Sequence, residues 1–120
     1  MQERLLIPRV LKSLRGIPTS WWYKIPDTSR CHSCGTLLPA NKRPFDVVGM
    51  YCRNLIALEF KSEHGRLSPH QRENLSFITK RGGRSFVIFP DDTFVVSPDG
   101  EITIVAETEN FAEYLENTIV

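Results

Sequence analysis

Phe45-Asp46-Val47-Val48-Gly49-Met50-Tyr51-Cys52-Arg53-Asn54-Leu55-Ile56-Ala57-Leu58-Glu59-Phe60-Lys61 is the stretch that decides how this chain folds. Residues 45–50 and 55–61 are short β-branched and apolar runs, and the four residues between them suit a hairpin. A turn symmetric about Cys52 and Arg53 sets Met50 against Leu55, Val48 against Ala57 and Asp46 against Glu59. Directly opposed side chains have Cβ atoms roughly 4.5–5.5 Å apart, so the two carboxylates fall within reach of one hard cation. Alternation along the strand puts Lys61 on the face of Glu59. Like charges facing each other destabilise a sheet, and carboxylates among apolar neighbours lose hydration. A hairpin that keeps both acids is therefore expected to use them, and removing either should relieve repulsion when no cation is bound. The plainer alternative is an edge strand with solvated acids, which a different register would give.

Downstream, residues 62–67 form a polar loop and a helix start follows. Ser68 can cap, Pro69 suits the first position, and Gln71 stands where a capping-box partner belongs. Leu75 and Ile78 continue the inward stripe, and Gly82-Gly83 ends it. Gln71 has two readings, as the capping-box partner or as a side chain aimed at the acids. Residues 85–89 are a continuous apolar run, hence a buried strand, parallel to 55–61 because a helix connects them. Residues 94–97 and 102–105 read as strands around the turn at Pro98-Asp99-Gly100, and Thr108 as the cap of a final helix burying Phe111, Ala112 and Leu115.

Upstream, Ile7, Val10, Leu11 and Leu14 make the stripe of a helix over 3–15, which Pro8 argues should begin near Ile7 and leave Glu3 outside. Trp21-Trp22-Tyr23-Lys24-Ile25 is an aromatic strand whose rings either stack on bases or ribose or divide between core and surface; one tryptophan is expected in the core and the role of the other stays open. Residues 27–43 form a loop rich in Ser, Thr, Pro and Asn that holds Cys31-His32-Ser33-Cys34-Gly35. Such a turn is half of a zinc knuckle and normally needs two further ligands. A structural Zn²⁺ on Cys31 and Cys34, a redox pair, and no special chemistry all stay open.

Pro44-Phe45-Asp46, Glu59-Phe60-Lys61 and Gly65-Arg66-Leu67-Ser68-Pro69-His70-Gln71 together resemble the PD-(D/E)XK nuclease superfamily, above all RecU-type Holliday-junction resolvases and VRR-NUC domains. The resemblance implies an α/β, restriction-endonuclease-like mixed sheet flanked by helices. It implies Asp46 and Glu59 as ligands of Mg²⁺ or Mn²⁺, Lys61 as partner of the attacking water, and Gln71 as a site residue on the next helix. The backbone carbonyl of Phe60, between the two charged residues, is a further metal-ligand candidate, and Glu3 is the acid the first helix offers. DNA is the implied substrate, and a junction cutter implies a homodimer. The loop at 27–43 departs from the resembled nucleases, so its role is not carried over.

The chain has 120 residues, 41% hydrophobic and 24% charged, enough for one core and so one domain spanning 1–120. No apolar run reaches the length of a membrane span and nothing at the start reads as a secretory signal, so a cytoplasmic protein is expected. Three cysteines argue against a disulfide framework. The net charge of +1 hides a segregation: residues 1–60 carry 9 Lys and Arg against 4 acids, residues 61–84 carry 6 against 2, and residues 85–120 carry 0 against 8. A basic working face and an acidic back are expected of a polyanion binder. Lys24, Arg66, Arg72, Lys80, Arg81 and Arg84 are the candidates for phosphate contacts. The rival to a nuclease is a catalytically silent nucleic-acid-binding or zinc-stabilised interaction module with the same fold.

Overall fold

The computed structural model describes residues 2–26 and 44–119; Cys31, Cys34 and the rest of the loop at 27–43 lie outside the described residues. Helix α1 (Glu3–Leu14) leads into β1 (Trp21–Lys24), followed by β2 (Val47–Tyr51), β3 (Asn54–Phe60), α2 (Pro69–Lys80), β4 (Arg84–Ile88), β5 (Asp92–Val96), β6 (Ile102–Glu107) and, after a 3₁₀ turn at Thr108–Asn110, α3 (Phe111–Thr118). Among the described residues the strands form one six-stranded mixed sheet whose spatial order is the chain order. Among the described residues only β3 and β4 are parallel, joined through α2, as the helical connection between them led one to expect.

The β2–β3 hairpin closes on two residues. Tyr51 pairs with Asn54, Met50 with Leu55 and Val48 with Ala57. Cys52 and Arg53 both have positive φ, 49° and 66°, as the turn that matches strand twist requires. Asn54 Nδ2 donates to the Cys52 carbonyl at 2.9 Å and holds that geometry without a glycine.

Alternation along the strands sends two side-chain sets to two cores. Val47, Ile56, Leu58, Phe60, Phe86 and Ile88 pack with Leu6, Leu14, Phe111 and Leu115 of α1 and α3. Ala57, Val87 and Val96 pack with Leu75 of α2 and with Phe45. Trp22 belongs to the first set and lies over Gly49, its partner in the ladder. A Cβ on Gly49 would stand 2.2 Å from the Trp22 ring, so only glycine fits there.

Three expectations change. Helix α1 begins at Glu3 and contains Pro8; the lost hydrogen bond would have gone to the carbonyl of Arg4, an exposed residue of the first turn, where solvent can take the place of the missing donor. Thr108 does not cap α3. Its hydroxyl donates to the Phe89 carbonyl at 2.6 Å and meets Thr93 Oγ1 at 3.0 Å, tying the helix to β4 and β5. Finally, because sheet order follows chain order, the charge runs from the β1 edge to the acidic β5–β6 edge rather than from face to back. Among the described residues no helix is long and apolar enough to cross a membrane.

Candidate active site

The β2–β3 ladder ends at Val47 and Leu58, one pair short of the acids. Asp46 N donates to the Leu58 carbonyl at 3.0 Å, so Asp46 and Glu59 do not form the directly opposed pair the symmetric turn implied. The side chain explains the break: Asp46 Oδ2 accepts the backbone N–H of Phe60 at 2.7 Å, taking the place of a ladder bond. The Asp46 carbonyl in turn accepts from Ile25 N at 2.8 Å, past the end of β1. Three backbone bonds thus hold Asp46, and its carboxylate is a fixed, buried group, 3% exposed.

Glu59 and Lys61 project from the end of β3 toward α2 and are 5% and 9% exposed. Lys61 N donates to the Ile88 carbonyl at 2.9 Å, so the parallel pairing with β4 steadies the lysine backbone. The following loop turns back on its stem, where a Cβ on Gly65 would sit 3.1 Å from Lys61 Cβ. Lys61 Nζ lies 3.9 Å from Glu59 Oε2 and donates to Gln71 Oε1 at 2.8 Å.

Gln71 serves both of its readings. Ser68 Oγ accepts from Gln71 N at 3.1 Å and Ser68 N donates to Gln71 Oε1 at 3.0 Å, a complete capping box. The same amide donates through Nε2 to Glu59 Oε2 at 3.1 Å. Its oxygen, with two lone pairs, is filled by Lys61 and Ser68. The helix that presents it is tied to the sheet by Ser85 Oγ to the Leu75 carbonyl at 2.7 Å, Thr79 Oγ1 to the Val96 carbonyl at 3.0 Å and Arg72 Nη1 to the Gly100 carbonyl at 2.5 Å.

The donors on offer are hard oxygens: two buried carboxylates on neighbouring strands. In an extended strand the N–H and C=O of one residue point to the same edge, so Phe60, whose N–H meets Asp46, directs its carbonyl to that edge as well. This set suits Mg²⁺ or Mn²⁺, which take one or two carboxylates and keep several waters. Glu3 does not join it. It lies exposed in the first turn of α1, and among the described residues no three His, Cys, Asp or Glu side chains are placed to share an ion.

The proposed phosphate contacts divide. Arg66, Lys80 and Arg81 are exposed, on the loop before α2 and at its end, and the Arg81 guanidinium lies 3.6 Å from the Phe77 ring centroid. Arg72 is engaged by Gly100. Lys24 and Arg84 pair with Val47 and Ile56, whose side chains face α1 and α3, which puts both cations on the sheet face opposite Glu59. His64 and His70 are exposed. Ser68 caps the helix as its place in the capping box led one to expect, and through that box it also holds Gln71 in the site. Gly65 is the site-shaping residue that sequence reasoning gave no role.

No protein-family model and no curated protein matches the chain. Solved structures do match. Among them is Hjc from Archaeoglobus fulgidus, a Holliday junction resolvase from an archaeal hyperthermophile, at 17% identity and a TM-score of 0.45, covering 81% of this chain and 74% of that one.

Proposed function

We propose that this chain is a metal-dependent endonuclease that hydrolyses DNA phosphodiester bonds, structure-selective in the manner of a Holliday-junction resolvase and acting as a homodimer. The observation that carries the reading is the run Glu59–Gln71–Lys61, its two charged ends buried, beside an equally buried Asp46. Burial of two carboxylates and an ammonium at one sheet end costs desolvation energy that packing alone does not call for.

Asp46, Glu59 and the Phe60 carbonyl would hold Mg²⁺ or Mn²⁺. Such an ion, when bound, polarises a phosphate oxygen and lowers the pKa of water. The protein groups do the rest. Lys61 sets a positive charge where negative charge gathers on the phosphoryl oxygens and orients the attacking water. Gln71 fixes the Lys61 ammonium and the Glu59 carboxylate against each other, so neither reorganises during reaction. Exposed Arg66, Lys80 and Arg81 supply salt-sensitive attraction for the DNA backbone. Two symmetric incisions in a junction would use one site from each of two protomers.

The test is cleavage of junction, flap and linear DNA, and of RNA, with Mg²⁺ or Mn²⁺ and with EDTA. The parent should cut only with metal. Lys61→Ala should bind metal and DNA as the parent does and lose turnover. A parent that shifts DNA on a gel but cuts no nucleic acid under any of these conditions ends the nuclease reading.

A further inference from the structure

Strand β1 is an edge strand, and alternation splits its aromatics between the two faces. Trp22 is 5% exposed, whereas Trp21 and Tyr23 stand 53% and 49% exposed on the other face. Their rings are parallel to within 2°, with centroids 6.1 Å apart. The register places Trp21 beside Met50 and then Leu55, both well exposed, and Tyr23 beside Val48 and then Ala57. Glu59 lies two residues beyond Ala57 on that same face. From strand spacing and rise, Tyr23 is about 12 Å from Glu59. At the ~3.4 Å rise of a stacked strand, that is three or four nucleotides.

The charge around this platform is one-sided. Residues 21–26, 48–58 and 77–87 contain no acid, and with Lys24 and Arg84 on the other sheet face they leave Arg53, Lys80 and Arg81 as the cations near the platform. Of these, Arg53 sits in the turn beyond Met50 and Leu55, while Lys80 and Arg81 end the helix that covers the same sheet face. A symmetric second copy docked here would bring these cations against themselves. A polyanion with flat π-faces meets both features at once.

We infer that Trp21 and Tyr23 form a stacking platform for unpaired bases, so that the nucleic acid handled at this site has a single-stranded or splayed segment a few nucleotides from the phosphate held by Asp46 and Glu59. A base inserted between the two rings would need about 7 Å, twice a carbon–carbon contact, more than the 6.1 Å present. Bases therefore stack on the outer faces. Sequence tolerance follows, because every base offers a π-face. This deepens the nuclease reading by naming a substrate class, and it rests on that reading for what the shared sheet face does.

The test reads binding in EDTA, so it stands or falls apart from cleavage. Short oligothymidylate and oligouridylate are titrated against the full chain beside a blunt duplex of equal length. The two single-stranded arms tell DNA from RNA. Both tryptophans emit, but contact quenching by an added strand reports Trp21, because Trp22 is buried with its indole N–H given to Ser20 Oγ at 2.9 Å. Single strands should quench it and the duplex should not. Trp21→Ala should weaken single-strand binding roughly five- to a hundredfold and leave duplex binding unchanged. Trp21→Phe should restore most of the loss, and Trp21→Leu, which keeps apolar area without a π-face, should not. Emission unmoved by single strands, Trp21→Leu binding as well as Trp21→Phe, or a dimer in sedimentation that Trp21→Ala dissolves would each overturn the platform.

Discussion

Asp46 and Glu59 would both hold metal, yet removing them should have different consequences for stability. Phe60 is fully buried, and its N–H has Asp46 Oδ2 as a partner at 2.7 Å. Asp46→Ala leaves that N–H in the interior without the partner, at a cost of about 1–3 kcal/mol. Asp46→Asn keeps an acceptor oxygen and forfeits only the charge, so it should sit about 1–2 kcal/mol above the alanine variant. Glu59→Ala exposes a different debt: it abandons Gln71 Nε2, which is partly exposed so that water can take over, and it also leaves the buried Lys61 ammonium without the carboxylate 3.9 Å away. Relief of repulsion, expected for both acids from sequence, should therefore be masked at Asp46 by the stranded Phe60 N–H and offset at Glu59 by the stranded Lys61 ammonium. Urea unfolding in EDTA measures this directly. At a slope of roughly 1–3 kcal/mol per molar urea, Asp46→Ala should unfold on the order of 1 M earlier than Asp46→Asn, with the slope unchanged. Repeating the curves with Mg²⁺ or Mn²⁺ adds the linkage term, about 2.7 kcal/mol at a hundred times Kd for the parent and none for either Asp46 variant. Coincident midpoints for Asp46→Ala and Asp46→Asn would refute the role assigned to the Asp46–Phe60 bond.

The remaining expectations are simpler. Arg66→Ala and Lys80→Ala should each flatten the log–log salt dependence of duplex affinity by about one unit, while Glu113→Ala in acidic α3 should not change it; equal effects on affinity from the two ends of the chain would contradict the charge gradient. For the loop at 27–43, a structural zinc on Cys31 and Cys34 predicts a metal content near stoichiometric and a higher melting temperature with added Zn²⁺. Elemental analysis below about half a zinc per chain, with no thermal gain, would dismiss it.

The hairpin register was readable because a two-residue turn leaves little freedom, and Met50–Leu55 and Val48–Ala57 pair as the symmetric turn required. What local pattern did not carry was where the pairing stops. Asp46 continues the alternation on paper, but its short side chain competes for the neighbouring N–H and takes the residue out of the ladder. Lys24 and Arg84 show a related limit. Composition put them near the site, while the pleat, which only the full register fixes, sent them to the far face. Gln71 was ambiguous from sequence because cap and site make the same demand, an amide on the inner side of the first helical turn. Thr108 looked like a cap because Thr before an apolar stripe usually is one; its hydroxyl had a better acceptor in Phe89, distant in sequence and adjacent in space.

Gln71 makes the first turn of α2 and the proposed catalytic lysine one cooperative object. Helix ends open locally at much lower cost than the whole fold, and each opening of this turn would release Lys61 and Glu59 together. Turnover would then be gated by a fraying equilibrium, and its temperature dependence should bend downward well before global melting. A better cap would raise the temperature at which activity falls away without moving the melting point by as much. Hydrogen exchange at the amides of Gln71 and Arg72, which donate to Ser68, would report the same opening that the activity curve does.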